Sequence, residues 1–274
     1  MLSKLPGRVT IEDGVVFGTG GDRDLECDIF LPPDERADRT AILLVHGGGW
    51  FQGDRSQLRG YGIQLARYGF VCLTCEYRLS GEAKWPAQIH DVKAALRYLR
   101  ANSERLGIDP AKICVSGNSA GAHLSLMMGA TPNVQVFEGK GGNAGIGTEC
   151  AAVVAIYPPT LLRIGNPDDV IAALLGPKAT REAEDAASPI TYVHRAFPPT
   201  LLVHGNADDI VPVAASFEMY RALAEAGAPV ELHVYDGAPH AFDAVPDLGR
   251  QVTDIIALFV DRKVANPRPV AVPG

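Results

Sequence analysis

Short, nearly continuous apolar runs alternate along this chain with stretches in which apolar positions recur every three or four residues. The runs at 41–45, 70–77, 112–116, 151–157, 200–203 and 230–235 have the length of strands. That pattern predicts parallel strands covered on both faces. Residues 9–17 and 25–31 predict two earlier strands, and Gly20-Gly21-Asp22 supplies turn material between them. So short a connection predicts an antiparallel hairpin at one edge of the sheet. Ile89, Val92, Leu96 and Leu99 recur at helical spacing behind Pro86, a suitable helix opener. Phe217, Tyr220, Leu223 and Ala224 repeat the pattern, as do Val252, Ile255, Ile256 and Phe259, with Asp247 as the expected N-cap. Strands alternating with helices predict an α/β fold: a mostly parallel, eight-stranded sheet with helices on both faces.

Two segments interrupt the rhythm. Residues 131–148 are rich in glycine and polar side chains and read as a surface loop. Residues 158–198 are longer than a crossover needs, contain several prolines and include a short helix at 168–175. This segment is expected to form a small cap over the C-terminal edge of the sheet, where open α/β folds place their sites. The tail, 266–274, carries three prolines and is expected to be disordered. With no internal repeat, one domain of 274 residues with an inserted cap is the economical reading.

Composition narrows the function classes. A net charge of -7 and the lack of any Lys/Arg run argue against a nucleic-acid partner. No apolar stretch is long enough to span a bilayer, and the opening residues lack the apolar core of a signal peptide, so a cytoplasmic setting is expected. Five scattered cysteines fit reduced thiols. Cys72 and Cys75 form a C-x-x-C, but inside a predicted strand an offset of three points the side chains to opposite faces. Buried structural thiols are expected rather than a redox or metal pair.

Four loops, each following a predicted strand, carry candidate chemistry. Gly117-Asn118-Ser119-Ala120-Gly121 matches G-x-S-x-G between a strand and a helical pattern. A nucleophilic serine needs such a sharp turn to project its hydroxyl, and glycines two residues either side avoid clashes. His46-Gly47-Gly48-Gly49-Trp50 follows the run at 41–45. Three consecutive glycines are entropically costly and suggest close backbone approach to a ligand. The N–H groups of Gly48, Gly49 and Ala120 can then face an oxyanion, where losing one donor typically costs roughly 10²–10³-fold in rate. A phosphate loop would need a Walker lysine or a G-x-G-x-x-G, and neither is present. His46 reads as structural. In His204-Gly205-Asn206-Ala207-Asp208-Asp209, either aspartate can reach a cleft, and Asp209 equally suits a helix cap. His240, on the last loop, can bond both serine and carboxylate and act as general base. The chain order serine, aspartate, histidine is that of α/β-hydrolases.

These motifs resemble the HGGG-type esterase/lipase branch of the α/β-hydrolase fold, including hormone-sensitive-lipase-like carboxylesterases and the acetyl-xylan and feruloyl esterase-like enzymes. The resemblance runs from His46 to Phe242. It implies Ser119, Asp208 and His240 as catalytic triad, with Asp208 selected over Asp209 by H-G-x-x-D-x-x-V-P. It implies Gly48, Gly49 and Ala120 as oxyanion hole, and structural roles for Tyr77-Arg78-Leu79 and for residues 86–91. Asn118 departs from the acidic residue usual in hormone-sensitive-lipase-like members, and Ala122 from a common second glycine.

The expected activity is hydrolysis of small carboxylic esters, short acyl chains favoured, through an acyl-enzyme and without cofactor or metal. An arylformamidase-like amide hydrolase would use the same residues. A non-catalytic ligand-binding homologue is the third reading, and the retained His240 argues against it. Trp50 and Asn118 are candidate substrate-binding residues, with core packing the alternative for Trp50. His123 reads as a buried helix histidine. The expected partner is a small ester, with no membrane contact and a homodimer left open.

Overall fold

The computed structural model describes residues 2–33, 39–163 and 168–269. Residues 164–167 of the expected cap and 270–274 of the tail lie outside them. The strands are β1 (Thr10–Gly20), β2 (Arg23–Leu31), β3 (Ala41–Val45), β4 (Val71–Cys75), β5 (Ile113–Asn118), β6 (Val153–Ile156), β7 (Thr200–Gly205) and β8 (Val230–Tyr235). They form one eight-stranded sheet in the order β1-β2-β4-β3-β5-β6-β7-β8. β1 and β2 pair antiparallel as the expected edge hairpin, and β2 also runs antiparallel to β4. From β4 through β8 every pairing is parallel.

Eight helices interleave with the strands among the described residues: α1 (Arg59–Ala66), α2 (Ala87–Ala101), α3 (Ala120–Ala130), α4 (Gln135–Glu138), α5 (Asp168–Leu175), α6 (Arg181–Ala186), α7 (Ala214–Glu225) and α8 (Pro246–Val260). Side-chain alternation along the strands builds a core on each face, with a further cluster where Val153, Ala155 and Leu202 meet α3 and α7. Leu43, Val45, Leu73 and Val115 pack with residues of α2 and α3 on one face. Ile42, Leu44, Cys72 and Val154 pack with α1 and α8 on the other. Cys75 lies in the first core and Cys72 in the second, as the strand geometry of the C-x-x-C requires. All five cysteines are free thiols, and burial pushes the Cys27 thiol up to about 12.

Four expectations need correction. β8 is not covered on both faces: it is the last strand of the sheet, its residues are only partly buried, and Val234 is exposed. Asp247 lies in the first turn of α8; the N-cap is Val245, with Pro246 at the first helical position. Asp209 caps nothing, because α7 begins behind Val213 without a side-chain cap. Residues 131–148 are not merely a surface loop. They contain α4, whose Phe137 is buried, while Lys93, fully buried on α2, bonds the Glu138 carboxylate at 2.7 Å. Burying this cation is tolerable because a carboxylate and the Thr131 carbonyl both accept from it.

β3 lies between β4 and β5, so the chain leaves it first to one side and then to the other. The C-terminal ends of β3 and β5 therefore flank the switch point of the sheet, the usual site for a crevice. The glycine loop follows β3, and Ser119 follows β5 directly.

Candidate active site

Ser119 sits between β5 and α3 with φ 51 and ψ -119, a backbone conformation that non-glycine residues rarely adopt. The surrounding contacts enforce it. A Cβ on Gly121 would lie 2.0 Å from the Val45 carbonyl oxygen, and one on Gly117 would lie 2.4 Å from the Gly121 backbone. The two glycines of G-x-S-x-G thus let α3 press against the end of β3, and the serine takes the resulting corner.

The three separated loops meet there. The Ser119 hydroxyl donates to His240 Nε2 at 3.0 Å, and His240 Nδ1–H donates to Asp208 Oδ2 at 2.7 Å. The Asp208 side chain has no solvent exposure. Its Oδ1 accepts from the N–H groups of Ile210 at 3.0 Å and Val211 at 2.8 Å. Burial disfavours its charge, but bonds from His204, His240 and Val211 outweigh it and hold the carboxyl well below the usual carboxylate range. Asp208 is therefore ionised, an acceptor that orients His240 with Nε2 free for the serine proton. Asp209 is exposed. Of the two open aspartates, Asp208 is the one bonded to His240.

The glycine loop lines the same cavity. A space of about 370 Å³ is walled by Gly48, Gly49, Ala120, Ser119, His240 and Asn118, among others. Gly48 (φ 112) and Gly49 (φ 57) both occupy the left-handed region, and a Cβ on Gly48 would lie 2.1 Å from the Gln52 carbonyl oxygen. Gly48 O accepts from Gln52 N at 3.0 Å, closing the loop as a turn. Among the described residues the amides of Gly48 and Gly49 have no partner. Beneath the loop, buried His46 stacks on Tyr77 with ring centroids 4.2 Å apart, and Tyr77 OH donates to His46 O at 3.1 Å. Arg78 is bidentate to buried Asp91 at 2.8 Å per bond, which ties the loop after β4 to α2. These are the structural roles expected for both segments.

Trp50 borders the cavity yet is only 1% exposed. Its Nε1–H donates to His123 Nδ1 at 3.3 Å, and His123 Nε2–H donates to Ala187 O at 2.7 Å. Core packing describes Trp50 better than an acyl wall. His123, fully buried, pins the segment around Ala187 to α3. Asn118 borders the cavity and donates to Tyr157 OH at 3.2 Å.

Two partners were not anticipated. His204 is fully buried and reaches Asp208 Oδ2 at 3.2 Å. Tyr157, with φ 42, sets its ring 4.6 Å from that of His240, tilted by 58°. His204 opens the H-G-x-x-D motif, so its position was visible although its role was not. Nothing in the local sequence marks Tyr157 beyond its place after β6. Among the described residues no cluster of three or more His, Cys, Asp or Glu side chains is arranged to hold a metal, and no helix is long and apolar enough to cross a membrane.

A profile of the BD-FAE family matches residues 27–223. The chain belongs to the BD-FAE family. This BD-FAE member is 32% identical over 259 residues to esterase LipQ of Mycobacterium tuberculosis, covering 90% of this chain and 61% of LipQ. It is 40% identical over 118 residues to esterase LipC of the same organism, covering 42% of this chain and 29% of LipC. The chain thus spans less than two thirds of either relative. Among solved structures, a truncated carbohydrate esterase from gut microbiota superposes with a TM-score of 0.82 at 29% identity, over 94% of this chain and 99% of that one. Propionate-bound esterase 2 of Thermogutta terrifontis gives 0.80 at 27% identity, over 95% and 97%. The BD-FAE chain has the α/β-hydrolase fold, as the motifs implied.

Proposed function

We propose that this BD-FAE member is a serine carboxylesterase acting on small carboxylic esters, short acyl chains favoured. The observation that carries the reading is the continuous bond chain Ser119–His240–Asp208 opening into one cavity with the glycine loop. Ser119 Oγ attacks the ester carbonyl while His240 Nε2 takes its proton. The tetrahedral oxyanion is held by the N–H groups of Gly48, Gly49 and Ala120. His240 then protonates the departing alcohol, and water repeats the cycle on the acyl-enzyme. Asp208 keeps the imidazole in the required tautomer and balances its charge when protonated.

The Thermogutta neighbours support ester chemistry and small acyl groups, since one holds propionate, another butyrate, and a third is phosphorylated by paraoxon. Residues 158–198 fit the role of a cap, because Pro159 and Val170 border the cavity. The five free thiols favour a reducing, cytoplasmic setting.

The test is turnover of p-nitrophenyl acetate and butyrate by wild type and Ser119→Ala. Wild type is expected to hydrolyse both, and the variant to lose activity by several orders of magnitude. Equal rates from the two proteins would refute the assignment.

A further inference from the structure

His240 is anchored on its Asp208 side by a hydrogen bond, and the other flank of its imidazole meets a network that the proposed reaction leaves unused. Tyr157 leaves the end of β6, its N–H donating to Val203 O at 2.7 Å, and holds φ 42 with its side chain buried. Its ring lies 4.6 Å from the His240 ring at 58°. Its hydroxyl donates to Asp243 Oδ1 at 2.5 Å and accepts from Asn118 Nδ2 at 3.2 Å. The other oxygen, Asp243 Oδ2, accepts from Tyr61 OH on α1 at 2.7 Å. Asp243 belongs to the single turn Phe242–Ala244, three residues beyond His240. That turn is closed by Ala244 N on Ala241 O at 3.0 Å.

One carboxylate therefore ties the histidine loop to the end of β6 and to α1. One phenol also ties it to Asn118, the residue before the nucleophile. We infer that Tyr157 is a positioning residue for His240, and that Asp243, gripped by Tyr61, is the clamp that holds Tyr157 in place.

The chemistry suits the role. In the proposed reaction the imidazole must serve first Ser119 Oγ and then the leaving oxygen, so small rotations of its ring matter. A misplacement of about 1 Å can cost roughly 10²-fold in rate. An aromatic face limits such rotation without competing for the imidazole's two nitrogens, both already engaged. Burial and the adjoining carboxylate push the Tyr157 and Tyr61 phenols well above their usual range. Both keep their protons and remain donors to Asp243. The left-handed backbone at Tyr157 is a local cost, and strain of this kind persists where surrounding bonds over-determine the conformation. Here those bonds are the three made by Tyr157 to Val203, Asp243 and Asn118.

The inference rests on the assignment of Ser119 and His240 above, and its test separates the two. Tyr157→Phe, Asp243→Asn, Tyr61→Phe and the double variant Tyr157→Phe/Asp243→Asn are compared with wild type and Ser119→Ala on p-nitrophenyl butyrate, with folding followed by thermal melting. Tyr157→Phe and Asp243→Asn are each expected to lower kcat about tenfold with KM within about twofold. The double variant is expected to fall no further than the worse single one, because both break one linkage. Tyr61→Phe leaves Asp243 Oδ1 in place and is expected to lose less. Tyr157→Phe deletes a single oxygen and keeps the ring, so it decides the matter should Asp243→Asn fail to fold. Unchanged kcat in Tyr157→Phe, a loss confined to KM, or multiplicative losses in the double variant would overturn the clamp. If Ser119→Ala turned over like wild type, the catalytic assignment itself would fall.

Discussion

His204 and His240 reach the same oxygen of Asp208, at 3.2 and 2.7 Å. The two imidazoles play different parts. His204 has no solvent exposure, and its Nδ1 accepts from Ser216 OH at 2.7 Å, which places the ring proton on Nε2. That proton is shared between Asp208 Oδ2 and Val211 O, the latter at 2.9 Å. A buried carboxylate needs its lone pairs filled, and His204 fills one while leaving His240 the shorter bond.

The prediction is that His204→Leu lowers kcat about tenfold with little change in KM, since bonds to charged groups contribute about 1.5–3 kcal/mol and this one is shared. His204→Gln retains a donor near the Nε2 position and is expected to recover part of the loss. Steady-state kinetics on p-nitrophenyl butyrate checks both. Full activity in His204→Leu would remove His204 from the machinery.

Gly121 and Gly60 make a contrasting pair for stability. A Cβ on Gly121 would lie 2.0 Å from Val45 O and 2.5 Å from His46 O, both backbone atoms that cannot yield cheaply. Gly121→Ala must displace α3 from β3, at a cost of about 3 kcal/mol or more, and is expected to lower Tm by roughly 5 °C or more. A Cβ on Gly60, an exposed position of α1, meets nothing within 4 Å. Gly60→Ala is expected to leave Tm unchanged or raise it slightly, by up to about 1 kcal/mol of helix propensity. Melting curves of the two variants settle the comparison, and equal values would contradict the packing described at the nucleophile turn.

The contrast also shows what local pattern can and cannot reveal. β3 was readable to the residue because a short continuous apolar run with clear flanks suits a strand covered on both faces, and β8 because Val230, Leu232 and Val234 alternate with Glu231, His233 and Tyr235. Ser119 and the glycine loop were readable because a strained corner and close backbone approach restrict residue type locally. α1 was missed: Gly60 and Gly62 depress helix propensity, and Gly62 is explained only by the Phe30 ring, which a Cβ would meet at 2.6 Å. The pairing of Lys93 with Glu138 joins residues 45 apart and has no periodic trace. The same holds for Tyr157 and Asp243, separated by 86 residues.

His123 makes a prediction about pH. It is fully buried, and burial lowers its pKa from 6.5 to about 4, with the bond to Ala187 O opposing the shift. Because the folded value lies below the unfolded one, the unfolded chain takes up a proton first as the medium is acidified. Stability is therefore full above 6.5, falls as pH drops toward about 4, and then levels off for this group. The loss amounts to about 3 kcal/mol at its fullest. His46, shifted in the same direction by burial, adds to it. His123→Gln, which cannot protonate, is expected to show a shallower fall in Tm between pH 7 and 4. An identical slope in variant and wild type would show that His123 does not carry this dependence.

The carboxylate of Asp208 is surrounded by donors, and this makes Asp208→Asn the sharpest test of its role. Its Oδ1 accepts from two backbone N–H groups, of Ile210 and Val211, and its Oδ2 from His240 and His204. An asparagine must put its NH₂ in one of these places. On the Oδ1 side it would face two fixed N–H groups and leave them unpaired. On the Oδ2 side it would oppose His240 Nδ1–H, and the imidazole would relieve the conflict by moving its proton to Nε2. That tautomer presents a proton to Ser119 where an acceptor is required. The first placement strands two fixed donors, whereas the second is relieved by a proton shift, so the second is favoured. It disables the base, and kcat is expected to fall about 10⁴-fold, the scale seen when an orienting carboxylate is neutralised, with KM much less affected. Asp209→Asn is the control: Asp209 is exposed, and its variant is expected to stay within about twofold of wild type. Rates measured on p-nitrophenyl acetate decide it. A mild effect at Asp208 together with a large one at Asp209 would reverse the choice of orienting carboxylate.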